Sequence, residues 1–302
     1  MTYSIVAYDL ESGAYGVAVQ SHWFNVSRTA PWVRFGVGAV VTQALTDPSY
    51  GWRGLDAMAE GLEAATALNQ LLAGDPLADQ RQVAFLDSRG EVAVHTGERC
   101  IREASHVVGS GWAVLGNLLA NDGVVPAMAR VFEGAQGTLP ERMTVALEAA
   151  QEQGGDLRGV QSAAIRVVPG ERELDRGVDA GVDISVVDHV DPVGELRRLV
   201  TVDRAYRELR RAETAVTDGD EALAIHHLGL AEQLRHGVEV DFWRAMAFAR
   251  LGRYDDARLI LRGVFDRAPQ FELVLERMAE VDPVAADLVS SGRVRLDPGG
   301  ET

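Results

Sequence analysis

"MTYSIVAYDLESGAYGVAVQS" spans Met1–Ser21, and its reading decides the fold. Residues 3–9 and 14–21 are short apolar, β-branched runs, and Glu11-Ser12-Gly13 between them reads as the turn of a hairpin. A hydroxyl residue, Thr2, therefore stands at the start of the first strand, directly behind Met1. Ser4 shares its face, because strand side chains alternate.

Moving outward, "FGVGAVVTQA" (35–44) reads as a third strand. Residues 50–74 have helical periodicity broken near Gly61, which gives two helices. Residues 81–97 form a hairpin turning at Ser88-Arg89-Gly90, and 105–109 with 112–116 form another. Two more helices are expected at about 122–134 and 139–153, then closing strands at 161–170 and 182–188. Strands alternate with helix pairs, and two helix pairs can cover two apolar sheet faces. The expected fold is α+β: a four-layer αββα sandwich over residues 1–199.

Strand signals stop after "DHVDPVGELRRL" (188–199). Residues 200–302 are expected to be a separate, all-α domain with a disordered tail at "LDPGGET". A 33-residue repeat runs through it: Ala212, Gly219, Ala224 and Leu228 recur as Ala245, Gly252, Ala257 and Leu261. "AMAFARLGRYDDARLILRGVFDRAP" (245–269) resembles a tetratricopeptide unit, with Phe248, Tyr254 and Pro269 at its aromatic and stop positions. Such a stack is expected to dock a protein partner.

The net charge of −16 repels nucleic acid, and no basic arm offsets it. All 29 basic residues are Arg, so no lysine Schiff base can form. No apolar run approaches the ~18 residues of a membrane helix, and no leader pattern follows Met1, so a cytoplasmic protein is expected. The single cysteine, Cys100, excludes an internal disulfide and reads as a small half-buried thiol, although His95 and His106 lie near it in sequence. His22, His95, His106 and His189 lack metal-ligand spacing, and neither a metal nor an organic cofactor is expected.

Met1 ahead of a residue as small as Thr is generally removed. The exposed α-amine of Thr2 would titrate near pH ~7.7–8.0 and could take the proton of its own hydroxyl.

"GVAVQSHWFNVS" (16–27), "GVGAVVTQALTDPSYG" (36–51), "RQVAFLD" (81–87), "HTGERC" (95–100), "GN" (116–117), "GGDLRGVQSAA" (154–164) and "DHVDPVGELRRL" (188–199) occur in that order. Together they resemble the bacterial domain-of-unknown-function family numbered 1028, over residues 2 to about 199. That family is similar in fold to the N-terminal-nucleophile hydrolases. The resemblance implies Thr2 as nucleophile, Ser21 beside it, and Thr42, Gln43 and Asn117 as oxyanion donors. It implies His22, Asp156, Arg158, Gln161 and Ser162 as substrate-binding residues. The chain departs from the family where Ser185 and Val187 replace an Arg and an Asp, and where His22 replaces a frequent Lys. The expected function is an amidohydrolase acting on a small amide or peptide-like substrate. The alternative is a non-catalytic protein that binds a small ligand or partner, related to the cell wall through the peptidoglycan-binding segment some family members carry; a homo-oligomer is compatible with both.

Overall fold

The computed structural model describes residues 2–170, 181–234 and 237–290. The expected tail and Met1 lie outside them. The described residues cluster into two compact units, Met1–Val200 and Thr201–Thr302.

The first unit begins with the expected hairpin of β1 (Thr2–Tyr8) and β2 (Tyr15–Ser21), in the register Tyr3↔Gln20 to Tyr8↔Tyr15. It continues with β3 (Pro31–Arg34), β4 (Gly38–Ala44), β5 (Arg81–Asp87), β6 (Val92–Thr96), β7 (Ser105–Gly109), β8 (Trp112–Asn117), β9 (Ser162–Val168) and β10 (Val182–Val186). Helices α1 (Ser49–Ala59) and α2 (Ala64–Ala73) follow β4, and α3 (Val124–Gly134) and α4 (Leu139–Glu152) follow β8. The stretch expected as one strand at 35–44 is the turn and second arm of a hairpin: β3 pairs with β4, and Gly36 turns at φ 72°.

A six-stranded sheet has the order β10-β9-β2-β1-β8-β7, and a four-stranded sheet the order β3-β4-β5-β6, antiparallel throughout. Alternation along the strands builds three cores. Val6, Val17, Val19 and Leu115 of the larger sheet meet Ala39, Val41, Ala84 and Leu86 of the smaller one. On the larger sheet's other face, Tyr3, Ile5, Ala18 and Ile165 pack under Met128, Phe132, Met143 and Leu147 of α3 and α4. On the smaller sheet's other face, Val40, Val83 and Phe85 pack under Tyr50, Leu55 and Leu68 of α1 and α2. Helix α1 lies so close that a Cβ on Gly51 would fall 2.2 Å from the Trp32 ring.

The two ends of the sheets differ. Hairpin turns at 9–14, 35–37, 88–91 and 110–111 lie at one end. At the other, where Thr2 starts β1, the connections are 22–30, 45–48, 74–80, 97–104, 118–123, 153–161 and 187–191. Among the described residues, the four non-glycine positions with positive φ (Ala44, Glu103, Leu118 and Asp188) all sit at this second end. Such strained backbone concentrates at functional sites.

The second unit is helical. Helix α5 (Pro192–Thr217) crosses the division: Val193, Leu196 and Val200 join the first unit's core, and Ala205, Leu209 and Ala212 the second's. Helices α6 (Glu221–Leu234), α7 (Gly237–Arg250), α8 (Tyr254–Arg267), α9 (Gln270–Met278) and α10 (Pro283–Ser290) follow. The 33-residue repeat keeps its register here. Gly219 and Gly252 turn at φ 77° and 76°. Ala212, Ala245, Ala224, Ala257, Leu228 and Leu261 are all buried.

Candidate functional site

The pairing register aligns four polar residues in one row at the long-connection end of the larger sheet. Thr2 pairs with Asn117, Ser21 pairs with Ser162, and Tyr3↔Gln20 leaves Ser21 across from Thr2. The row faces the smaller sheet, since its strand-mates Ser4, Val19, Leu115 and Ala164 do. Thr2 Oγ1 donates to Ser21 Oγ at 3.1 Å, with Thr2 only 5% exposed.

Two glutamines of the smaller sheet meet this row. Ser4 Oγ donates to Gln43 Oε1 at 2.7 Å, and Gln43 Nε2 donates to Gln82 Oε1 at 2.7 Å and to the Thr2 carbonyl at 3.4 Å. Asn117 Nδ2 also donates to Gln82 Oε1, at 3.0 Å. Gln82 Nε2 reaches the carbonyls of Gly116 (2.8 Å) and Ser105 (3.1 Å) and Thr96 Oγ1 (3.0 Å). Backbone carbonyls can only accept, so they fix which end of Gln82 carries hydrogen. The polarity of Asn117 and Gln43 follows from that. Every member of this network is uncharged.

The geometry divides the predicted residues. Thr2, Ser21, Gln43 and Asn117 come together. Gln43 spends both amide hydrogens inside the protein and braces the site, leaving Asn117 as its amide donor with one hydrogen engaged on Gln82. Thr42 does not join them. It alternates to the helix face of β4, and its hydroxyl donates to the Asp47 carbonyl at 3.2 Å.

The remaining five brace the adjoining loops. The Asp156 carboxylate accepts the His22 amide at 2.9 Å and is paired with Arg158 at 3.2 Å. Ser162 Oγ donates to the Trp23 carbonyl at 2.6 Å and accepts the Val26 amide at 3.0 Å. Gln161 Nε2 donates to Asp188 at 3.1 Å, and the Gln161 carbonyl accepts the His189 amide at 2.9 Å. Gln20 and His22 Nδ1 carry buried polar atoms with no hydrogen-bond partner.

Gln82 was not singled out by the sequence. Its only signal there is a glutamine at the start of the otherwise apolar run "RQVAFLD" (81–87). Its neighbour Arg81 is buried, donates to Asp75 at 2.8 Å and to the Leu45 carbonyl, and so holds the chain just beyond Gln43 and Ala44. That guanidinium keeps the Asp75 carboxyl below its usual range.

Cys100 lies beside a recess of about 500 Å³ at the same end, lined also by Thr96, Ser105, Arg102, Glu103 and Asn121. Its thiol donates to the Arg81 carbonyl, and burial pushes it up, away from the reactive thiolate. The ring of His106 bonds Thr96 Oγ1 at 2.9 Å, and burial lowers its pKa. Among the described residues, no group of three His, Cys, Asp or Glu side chains could hold a metal ion, and no helix is long and apolar enough to cross a membrane.

Comparison with curated proteins found no match. Among solved structures, the chain is similar to the crystal structure of protein SPO2555 from Silicibacter pomeroyi, which carries the family model DUF1028. The likeness has a TM-score of 0.60 at 26% identity and covers 67% of this chain and 88% of that one. The model of the family of unknown function DUF1028 matches residues 2–196, from the Thr2 strand into the helix that follows β10. The chain belongs to the DUF1028 family.

Proposed function

We propose that the first unit is an N-terminal-nucleophile amidohydrolase with the αββα architecture of that class, working in the cytoplasm on a small amide or peptide-like substrate. The observation that carries this reading is the position of Thr2: first residue of β1, its hydroxyl bonded to Ser21, inside a buried and uncharged hydroxyl–amide network. A hydroxyl in such a setting is inert without a base. Removal of Met1 would supply one in the α-amine of Thr2 itself.

The steps follow from that amine. It takes the hydroxyl proton as Thr2 Oγ1 attacks the substrate carbonyl. The oxyanion of the tetrahedral intermediate draws on the second amide hydrogen of Asn117. The ammonium returns its proton to the departing nitrogen, which leaves an ester on Thr2. The amine then activates water to hydrolyse that ester. Ser21 holds the hydroxyl between turnovers, and Gln82 keeps Asn117 turned the right way. In the second unit, the tetratricopeptide-like helix pairs are proposed to dock a partner.

Intact mass spectrometry of the protein from its host tests the first requirement, with loss of Met1 expected. A β-lactone probe is expected to label Thr2, with labelling retained in Thr2→Ser and abolished in Thr2→Ala. Retention of Met1, or equal labelling of Thr2→Ala, would overturn the assignment. The alternative, a non-catalytic binding protein, draws support from the small exposure of Thr2 and from the internal satisfaction of Gln43.

A further inference from the structure

Immediately beyond Ser21, the chain exposes two aromatic side chains in succession. Trp23 is 59% exposed and Phe24 63%. Consecutive Cα atoms are 3.8 Å apart, so the Trp23 Cα lies within about 7.6 Å of the Ser21 Cα. A third apolar side chain, Leu157, is 63% exposed on the neighbouring loop. The two loops are tied together, because the His22 amide donates to Asp156, the residue before Leu157.

Loops usually let such side chains fold down. Here they stand exposed on a backbone that is tethered at both loops. Ser162 takes the Val26 amide and gives its hydrogen to the Trp23 carbonyl, both at 3.0 Å or less. The Leu157 amide reaches the carbonyl of Leu118, next to Asn117, at 3.4 Å. Aromatic groups kept in water on a fixed backbone are a preorganised apolar contact surface. The charge pattern agrees. Among the described residues, the side chains bonded to one another around Thr2 are uncharged hydroxyls and amides, and Arg158, the cation nearest in sequence to Leu157, is paired with the buried Asp156. A substrate carboxylate would have to compete with that pair.

We infer that Trp23, Phe24 and Leu157 form the specificity surface of the Thr2 site, and that it selects an amide whose acyl side carries a bulky, uncharged aromatic or branched aliphatic group. This rests on the proposed role of Thr2. A charged acyl group is discriminated against, because it would lose water to apolar side chains without gaining a partner.

The test uses full-length protein and three β-lactone probes, carrying a benzyl, a methyl or a carboxyethyl substituent. The benzyl probe is expected to label Thr2 about tenfold faster than the other two. Trp23→Ala/Phe24→Ala is expected to bring the benzyl-to-methyl ratio to within about threefold. Circular dichroism checks that this surface variant is folded. A carboxyethyl probe that labels fastest, or a benzyl preference unchanged in the double variant, overturns the inference. If no probe labels Thr2, the nucleophile reading has failed, and the surface is tested by itself with 3-phenylpropionamide. Saturation-transfer NMR signals from its ring protons, lost in Trp23→Ala/Phe24→Ala, support the surface, and their absence from the unaltered protein overturns it. A dimer that the double variant dissociates in analytical ultracentrifugation also overturns it, since the aromatics would then be covered by a second copy.

Discussion

The amide of Gln82 in one sheet donates to the carbonyl of Gly116 in the other, 2.8 Å away, with both sheets closed around it. Replacing Gln82 with Leu keeps the volume and strands the carbonyls of Gly116 and Ser105 and the amides of Gln43 and Asn117. The expected loss is on the order of 3 kcal/mol by urea denaturation. A loss below about 1 kcal/mol would mean that the neighbours can satisfy one another without Gln82.

Gly54→Ala is expected to destabilise although it improves helix propensity. Alanine in a helix interior usually gains about 1 kcal/mol over glycine. Here the new Cβ would stand 2.4 Å from the ring of Phe85, which is fully buried and cannot swing away. A net loss of about 1–3 kcal/mol is expected in thermal or urea melts.

Acid should expose the Asp75–Arg81 pair. The folded-state pKa of Asp75 is depressed, mainly by its hydrogen bond from Arg81. Its contribution is therefore complete above the unfolded carboxylate value near pH ~4 and is lost as pH falls through the lower folded value. Asp75→Asn is expected to lower the melting temperature at pH 7 and to flatten its decline below pH ~4. Parallel acid limbs in the two proteins would count against the pair.

In the helical unit, Phe242 is fully buried and meets the Phe271 ring at a tilt, with centroids 5.1 Å apart, whereas Tyr254 is only partly covered. Phe242→Ala should cost on the order of 3–5 kcal/mol and Tyr254→Ala clearly less. Equal losses in denaturant melts would show that Tyr254, through its hydroxyl on Asp287, matters more than its exposure suggests.

What the sequence disclosed follows from periodicity. The Thr2–Ser21 hairpin, the two helix pairs and the 33-residue repeat each extend over enough residues for a pattern to show. Strand β3 did not show, because Pro31–Arg34 is four residues long and opens on a proline. Period-two alternation was enough to put Ser4 beside Thr2, and applied to β4 it separates Thr42 from Gln43. Gln82 needed more than alternation. Its role depends on which sheet face it meets, and that is settled by contacts with β7 and β8, more than twenty residues further along the chain. Arg158 illustrates the converse: the resemblance implied a substrate-binding residue, and its pairing with Asp156 is visible only once the 153–161 connection is folded.

The hairpin turns at the far end of the sheets also make a practical handle. Strand β5 runs its seven residues from the Gln82 network to the turn at Ser88–Gly90, about 20 Å away at ~3.3 Å per residue. A dye or short epitope grafted beside the half-exposed Arg89 would ride on a tight turn, remote from Thr2, Trp23 and Phe24. Such a reporter would follow capture of a substrate without standing in its way.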